Sequence, residues 1–321
     1  PITITGLTNG TSYTARVYAK NSHGTSAASE ASASFTPLAE VISGLFSTHL
    51  YDGTGSAQTI TNNINLSGKN GLVWIKNRSQ ASNHILSNTV SGANKQLRTN
   101  ETGGEETNST IITSFNNNGF SLGVGNSNTN QSSDDYVSWT FRKTPKFFDV
   151  VTYTGDGVAG RTVSHNLGSV PGMIIVKRTD TGNYWAVWHR KLNGGTNSGQ
   201  YFMRLDNTDA ESTNSGYWNN TEPTATNFTV GGSGTTNTGT YVAYLFAHNN
   251  NDGGFGPDSE DIIKCGSYTG NASGTGPEIN LGFEPQWLLV KNADNSSSDW
   301  LILDVMRGWS AGDADFFLET N

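Results

Sequence analysis

Charged side chains are scarce in this 321-residue chain. Asp, Glu, Lys and Arg make up 14% of it, with 19 basic against 27 acidic residues and a net charge of −8, whereas a typical soluble domain carries about 25% charged residues. The thinly spread acidity provides no basic patch, so we predict no nucleic-acid partner. Asn, Ser, Thr and Gly take the place of the missing charges, and this composition disfavours helices.

Reactive and metal-binding residues are also few. Cys265 is the single cysteine, so no intrachain disulfide can form. No apolar run reaches the roughly 18 residues of a membrane span, so we predict no membrane insertion. The sequence has no His-x-x-x-His pair, no Cys/His cluster, no nucleophile elbow and no phosphate-binding loop. We therefore predict no metal, no cofactor and no catalysis.

Aromatic residues are abundant and lie in short strand-like segments. The chain has 8 Trp, 11 Tyr and 14 Phe, which is too much sticky surface for a chain that stays unfolded. Segments of four to eight Val, Ile, Tyr, Phe and Trp residues between polar clusters are typical of strands. The uninterrupted apolar runs at residues 173–176 and 287–290 favour strands covered on both faces. We predict an all-β fold of tandem β-sandwich domains in series, jelly-roll or lectin-like.

The N-terminal segment, residues 1–37, has an alternating strand at Tyr13–Ala19. Leu7, the Asn9-Gly10 turn and Tyr13 resemble the Leu–turn–Tyr corner of the fibronectin type III family, and the Val-x-Ala-x-Asn-x-x-Gly run from Val17 resembles its next strand. The resemblance covers only the C-terminal part of such a domain, which needs about seven strands. We therefore expect the earlier strands to precede Pro1 and the segment not to fold alone; an unrelated hairpin is the alternative.

The rest of the chain repeats one pattern three times. Each copy opens with a Tyr-x-Gly motif (Tyr51, Tyr153, Tyr268) and continues to a hydrophobic strand that ends in a lysine (Lys76, Lys177, Lys291). The first two copies close with Gly/Asn-Phe-x-Leu/Val-Gly and a Tyr-Val-x-Trp/Tyr-x-Phe strand, and the third reaches Asn321 before these elements. We predict a linker at 38–45, repeats at 46–147 and 148–258, and a truncated repeat at 259–321 whose sequence continues beyond Asn321.

The order Tyr-Thr-Gly-x-Gly, His-x-Leu-Gly-x-x-Pro, Val-Lys, Gly-Phe-x-Leu-Gly and Tyr-Val-x-Trp-x-Phe resembles a tandem module of tailed-bacteriophage fibre proteins, frequent in phages of marine cyanobacteria. The resemblance covers roughly residues 46–321. It implies a virion structural protein of the tail-fibre type that attaches to host cells by multivalent binding, without catalysis. It also implies a place in an exterior virion appendage, other tail or fibre proteins as partners, and a homo-oligomer.

Two other functions remain open on the sequence. A glycan-degrading tailspike or depolymerase needs two facing carboxylates, but no carboxylate recurs at one equivalent position in all three copies. A bacterial surface adhesin or carbohydrate-binding module would share the composition. For both adhesive functions a host-surface glycan is the expected ligand.

Four residues are candidates for stacking on a sugar. Tyr217 and Trp218 lie in a Gly/Asn-rich segment, and Trp188 and His189 end an aromatic strand. We predict Trp218 to be the most exposed of these. Trp185 and Trp188 fall on opposite faces of their strand, so at least one of them belongs to the core.

Overall fold

The computed structural model of the chain describes Leu7 and residues 11–22, 24–35, 42–256, 259–308 and 317–319. Within these residues it contains 22 strands, one α-helix of four residues and three short 3-10 helices. All strand pairs are antiparallel. The all-β, sandwich-type prediction is confirmed. No helix of the described residues is both long and apolar enough to cross a bilayer.

The N-terminal residues form a two-stranded hairpin in which β1 (Lys20–Asn21) pairs with β2 (Gly24–Thr25). Three serines in the segment that follows β2 accept hydrogen bonds from backbone N–H groups through their hydroxyl oxygens. For example, Ser29 Oγ accepts from the N–H of Val17 at 3.0 Å. Val17 is 61% exposed, so the hairpin leaves apolar surface uncovered. The Asn9-Gly10 turn and residues 38–41 of the predicted linker lie outside the described residues, and the fibronectin resemblance stays a prediction.

The first repeat is a sandwich of two sheets. It follows a 3-10 turn at Ile42–Gly44, and its strands are β3 (Phe46–Asp52), β4 (Gln58–Thr61), β5 (Gly71–Asn77), β6 (Ile85–Asn88), β7 (Lys95–Arg98), β8 (Glu106–Thr107), β9 (Ile112–Asn116), β10 (Gly119–Leu122) and β11 (Asp135–Arg142). The large sheet has the order β3-β11-β5-β6-β7-β8, and the small sheet has the order β4-β10-β9.

The second repeat has the same large sheet. Its strands are β12 (Phe148–Thr154), β13 (Arg161–Ser164), β14 (Pro171–Arg178), β15 (Ala186–His189), β16 (Tyr201–Arg204), β17 (Ser212–Thr213), β18 (Asn227–Val230) and β19 (Thr240–Ala247), with 3-10 turns at Leu192–Gly195 and Ser198–Gln200 and helix α1 at Ser215–Trp218. The order β12-β19-β14-β15-β16-β17 matches that of the first repeat strand for strand, and β13 pairs with β18 in the small sheet. The two segments therefore share one topology, while the domain boundaries stay a prediction.

The third repeat contributes a three-stranded sheet of β20 (Trp287–Lys291), β21 (Trp300–Asp304) and β22 (Phe317–Glu319). Its register reproduces that of the other repeats, because Leu301 pairs with Glu319 as Ile85 pairs with Arg98 and Ala186 with Arg204. The three strands are thus the counterparts of β5-β6-β7 and β14-β15-β16.

Each complete large sheet is covered on both faces. In the first repeat Val73 and Ile75 pack against the small sheet, in a cluster with Phe120. Leu72 and Trp74 alternate with them and join a second core that also holds Tyr244 of the second repeat and Trp300 of the third. The sandwiches follow one another in sequence but share one core in space.

Equivalent contacts join successive repeats in that shared core. The indole N–H of Trp185 in the second repeat donates to the carbonyl of Arg98 in the first at 3.0 Å, and the indole of Trp300 in the third donates to the carbonyl of Arg204 in the second at 2.8 Å. Trp185 and Trp300 occupy the same register position, as do Arg98 and Arg204. The second and third repeats therefore each bind the preceding repeat through the same contact.

Contacts from the third repeat back to the first close the arrangement into a ring. Asn88 in the first repeat donates to the Tyr244 hydroxyl in the second at 3.0 Å, and Asp304 in the third accepts from the Trp139 indole in the first at 3.0 Å. Asn88 and Asp304 are equivalent by register, and so are Trp139 and Tyr244. The contact from the first repeat to the second is thus equivalent to the contact from the third repeat to the first. This equivalence describes a pseudo-threefold ring of repeats.

Candidate binding site

The structure buries the predicted aromatic platform. Tyr217 is 3% exposed and Trp218 is 2% exposed, so the prediction that Trp218 is the most exposed of the candidates is wrong. Both lie on α1, whose first turn is capped by the Asn214 side chain accepting the Gly216 N–H at 2.8 Å. The short helix turns both rings into the core, where Tyr217 stacks on Phe202 with ring centroids 3.8 Å apart.

Trp188 and His189 lie at the end of β15. Trp188 is 2% exposed, since it faces the small sheet of its own repeat while Trp185 faces the first repeat. His189 is partly buried, and its Nδ1 accepts the Lys191 N–H at 3.2 Å. Burial, with a smaller contribution from Arg190, lowers the pKa of His189 to about 4. A sugar cannot stack on Trp188, Tyr217 or Trp218 without opening the core.

An exposed aromatic residue does lie nearby, at Tyr184. Its side chain is 41% exposed, and the guanidinium carbon of Arg204 lies 3.8 Å from the ring centroid. Arg204 is held from two further sides: its Nε donates to the Tyr217 hydroxyl at 3.3 Å, and its NH1 pairs with Asp209 at 3.3 Å. Arg204 therefore holds a fixed orientation beside an accessible ring.

A cleft of about 320 Å³ opens next to Arg204. It is lined by Phe202, Met203, Arg204, Asp209, Ala210, Glu211 and Ser212. One carboxylate oxygen of Glu211 is already hydrogen-bonded within the chain, because Oε2 accepts the Asn193 N–H at 2.8 Å. A guanidinium, two carboxylates and a hydroxyl beside an aromatic ring are the donors and acceptors that bind sugar hydroxyls. We define this cleft together with Tyr184 as the Arg204 cleft.

The three repeated lysines have similar structural surroundings. The Lys177 ammonium donates to the carbonyls of Asn183 in its own turn and of Thr102 in the first repeat, the latter at 2.8 Å. Lys291 likewise donates to the carbonyls of Asn295 in its own turn and of Thr208 in the second repeat. Lys76 also donates to a carbonyl of the turn that follows it. These lysines stabilise the turns that follow them, and Lys177 and Lys291 also link their turns to the preceding repeat.

Three carboxylates that could serve a glycosidase have internal partners. Asp134 accepts from Asn77 and Gln80, and Asp304 pairs with Arg307 at 2.6 Å. Asp156 pairs with Arg161 at 3.1 Å. In the part of the chain that the structure describes, no group of three or more His, Cys, Asp or Glu residues is arranged to hold a metal ion. The Asp206–Glu211 segment binds Trp185 and Asn193 backbone groups instead.

A second cleft, of about 540 Å³, lies between the first repeat and β22. Lys76, His84 and Asn100 line it on one side, and Leu318 and Glu319 on the other. His84 is the counterpart of Trp185 and Trp300, and the Glu319 backbone is near enough to raise its pKa. Burial outweighs this effect and lowers the pKa of His84 to about 3; its Nε2 has no hydrogen-bond partner among the described residues.

Residues 42–321 match the model of one protein family, described as "Domain of unknown function (DUF7483)". The chain belongs to this family. The DUF7483 match spans all three repeats and leaves the N-terminal hairpin outside it. No curated protein and no solved structure matches the chain.

Of the residues of the Arg204 cleft, Arg204 itself was not predicted from the sequence. Arg204 lies in no motif, and its role depends on the pairing of β15 with β16, which places it opposite Ala186. Tyr184 precedes an aromatic strand, but nothing in the sequence marks which ring of that strand reaches solvent. The usable signal was the run of Asp206, Asp209 and Glu211 after the strand, which places polar groups at that end of the sheet.

Proposed function

We propose that the chain is a structural and adhesive component of a bacteriophage virion, of the tail-fibre type, which binds host-surface glycan without chemical conversion. The observation that carries this proposal is the repeated interlock: equivalent residues of successive repeats bind each other, as Trp185 binds Arg98 and Trp300 binds Arg204. The buried polar groups of such a block hold its repeats together, as is expected of a structural component.

The resemblance of the repeats to tailed-phage fibre modules supports the location in a virion appendage. The surface chemistry agrees with it, because 14% charged residues and many Asn, Ser and Thr side chains give a nearly neutral polar exterior. Such an exterior keeps elongated assemblies soluble without strong attraction to charged polymers.

The Arg204 cleft is the proposed glycan contact. Because the Arg204 guanidinium covers one face of the Tyr184 ring, a sugar would pack against the exposed edge of that ring while Arg204 and Asp209 bind its hydroxyls. A shallow cleft of this size gives weak binding by itself. Several copies on one appendage would raise the effective concentration and make attachment firm.

The test is binding of the purified chain to cells of marine cyanobacteria and to lipopolysaccharide purified from them. We expect the Tyr184→Ala variant to bind at least tenfold more weakly than wild type when both are displayed on beads. Tyr18→Ala is the matched control, because Tyr18 is an exposed tyrosine of the N-terminal hairpin. Equal loss in both variants, or none in Tyr184→Ala, would contradict the cleft as the contact.

The same experiment separates adhesion from depolymerisation. We expect no release of reducing ends from the polysaccharide over the time in which binding saturates. Steady release that Glu211→Gln abolishes would replace this proposal with a glycan-degrading enzyme.

A further inference from the structure

The Arg204 cleft has a counterpart at the boundary between the first and second repeats. Arg98 on β7 and Arg204 on β16 occupy the same register position in their sheets. The loop after each arginine binds the following repeat in the same way, because the N–H of Glu105 and the N–H of Glu211 each donate to a carbonyl of that repeat at 2.8 Å. The two boundaries therefore have the same backbone framework, and their side chains can be compared position by position.

The first repeat surrounds its arginine with carboxylates of its own. Nη2 of Arg98 pairs with Glu106 at 2.7 Å, and Nη1 pairs with Glu101 at 2.9 Å. Gln96 lies directly across the strand pair from Glu106 and donates to the same carboxylate oxygen at 2.9 Å. Both terminal nitrogens of Arg98 therefore have carboxylate partners within the chain.

The second repeat keeps the arginine but not the glutamate that binds its Nη2. Ser212 stands at the position of Glu106, as the pairing of β16 with β17 and of β7 with β8 shows. Asp209 provides one carboxylate, 3.3 Å from Nη1 of Arg204. Among the described residues none accepts a hydrogen bond from Nη2 of Arg204. The cleft thus leaves open the position that a carboxylate occupies in the first repeat.

The side chains beside this open position are aromatic in the second repeat and polar in the first. Phe202 replaces Gln96, and Tyr184 replaces Asn83. In the first repeat the Asn83 side chain is bound internally, because its Oδ1 accepts from Nδ2 of Asn100 at 2.7 Å. Aromatic rings beside a guanidinium suit a ligand that combines C–H groups with a negative charge, as a sugar acid does.

The charges around the cleft leave room for one more anion. Its acidic groups are Asp209 and Glu211. Its basic groups are Arg204 and Lys291, whose ammonium donates to the carbonyl of the residue before Asp209 at 3.2 Å. A bound carboxylate would bring the acidic groups to three against two basic groups. The first repeat already holds this balance, with the residues Glu101, Glu105, Glu106, Arg98 and Lys95.

We propose that the Arg204 cleft binds a hexuronic acid unit of a glycan, whose carboxylate pairs with Nη2 of Arg204 as the Glu106 carboxylate pairs with Arg98. Ser212 lines the cleft, and its hydroxyl is a second donor to this carboxylate. The sugar ring packs against the edge of Tyr184. This inference rests on the proposed function of the cleft as a glycan contact and adds the class of sugar. Because a guanidinium–carboxylate hydrogen bond is stronger than one between neutral groups, neutral sugars bind more weakly.

The first experiment compares matched acidic and neutral sugars on the full 321-residue chain by isothermal titration calorimetry. The probes are trisaccharides of galacturonate, mannuronate and guluronate, and the same trisaccharides with every carboxyl group reduced to a primary alcohol. We expect at least one acidic trisaccharide to bind about tenfold more tightly than its reduced form, the effect of one charge-assisted hydrogen bond. Equal affinity within every pair, or no saturation by any acidic probe at millimolar concentration, would overturn the proposal.

The second experiment uses Ser212→Glu to test where the carboxylate binds. The new side chain reproduces Glu106 and should occupy Nη2 of Arg204, so the acidic trisaccharide should bind about tenfold more weakly than to wild type. Ser67→Glu, at an exposed serine of the first repeat, is the matched control for the added charge and should bind as wild type does. Unchanged affinity in Ser212→Glu, or equal losses in both variants, would overturn the assigned contact.

Binding to lipopolysaccharide separates this inference from the proposed function. If Tyr184→Ala loses lipopolysaccharide binding while wild type binds acidic and reduced trisaccharides equally, the glycan contact stands and the hexuronic acid is overturned. If Tyr184→Ala binds lipopolysaccharide as wild type does, the glycan contact at this cleft is overturned. In that case binding of an acidic trisaccharide that Ser212→Glu weakens would still support the carboxylate site on Arg204.

Discussion

The indole N–H of Trp139 in the first repeat donates to Oδ2 of Asp304 in the third, at 3.0 Å, across 165 residues of sequence. The same carboxylate oxygen accepts from Nε of Arg307 at 2.6 Å, and Arg307 lies over the Trp139 ring with its guanidinium carbon 5.6 Å from the ring centroid. Asp304 is fully buried. This contact closes the ring of repeats.

Asp304→Ala should lower the free energy of unfolding by about 3 kcal/mol, because it leaves the Arg307 guanidinium and the Trp139 indole buried without their partner. Equilibrium denaturation in urea, followed by tryptophan fluorescence, measures it. Asp156→Ala is the control: it removes an exposed pair with Arg161, which should cost far less. Equal losses in the two variants would contradict the closed ring.

The shared core predicts that the repeats unfold together. The sequence predicts a separate β-sandwich repeat at 148–258, and such a domain would be expected to fold as an independent unit. The structure argues against this, because Tyr244 and Trp185 of that segment are covered by the first repeat. We expect the isolated segment to bind a hydrophobic dye such as ANS and to show no sharp thermal transition, while residues 42–321 unfold in one transition.

Acid should destabilise the fold through buried histidines. Burial lowers the pKa of His84 to about 3 and that of His189 and His248 to about 4, from an unfolded value of 6.5. The unfolded chain therefore binds more protons in this window, and stability falls as the pH drops from 6.5 toward 4 by up to about 1.4 kcal/mol per pH unit and group.

His84→Gln tests this acid dependence. Its free energy of unfolding should fall less steeply than that of wild type between pH 6.5 and 4.5, and the two slopes should coincide between pH 7 and 8. Identical slopes in acid would show that His84 is protonated in the folded protein.

Lys177 should make stability depend on pH in the alkaline range, with the same sign as for the histidines. Burial lowers its pKa to about 8 from 10.5, with Asp206 opposing the shift. Because the unfolded chain holds the proton more tightly, stability should rise with pH above 8. Lys177→Met should remove this rise between pH 8 and 9.5, measured by urea denaturation, while Lys69→Met, at an exposed lysine, should retain it.

Gly172→Ala tests the packing between β14 and the segment that enters the third repeat. A Cβ at Gly172 would lie 2.7 Å from both Cβ and Sγ of Cys265 and 2.9 Å from Cβ of His248. We expect a loss of about 1–3 kcal/mol in the free energy of unfolding from the forced displacement. Gly274→Ala, where nothing lies within 4 Å, should cost little.

Strand type and burial followed from local sequence. The apolar run at residues 173–176 indicated a strand covered on both faces, and Ile174 and Ile175 are indeed buried on opposite faces. The run did not indicate which part of the chain covers the second face of the strand. That cover is another repeat, and it depends on side-chain pairs such as Asn88 and Tyr244, which lie 156 residues apart.

The candidate site was less predictable for a related reason. Trp218 sits between Gly and Asn residues, which usually mark exposed turns. Here the Asn214 cap starts one helical turn, and the turn directs the ring inward. Whether a polar segment folds over a core or away from it depends on the surface against which it can pack. The neighbouring residues in the sequence do not encode that surface.

The contact between Trp139 and Asp304 also determines how the molecule carries tension. A pull applied at residue 42 and at residue 308 would load this contact together with the core that the three repeats share. The connecting loops stay slack until the closure opens. Under stretching, the three repeats would therefore resist as one block and then extend abruptly.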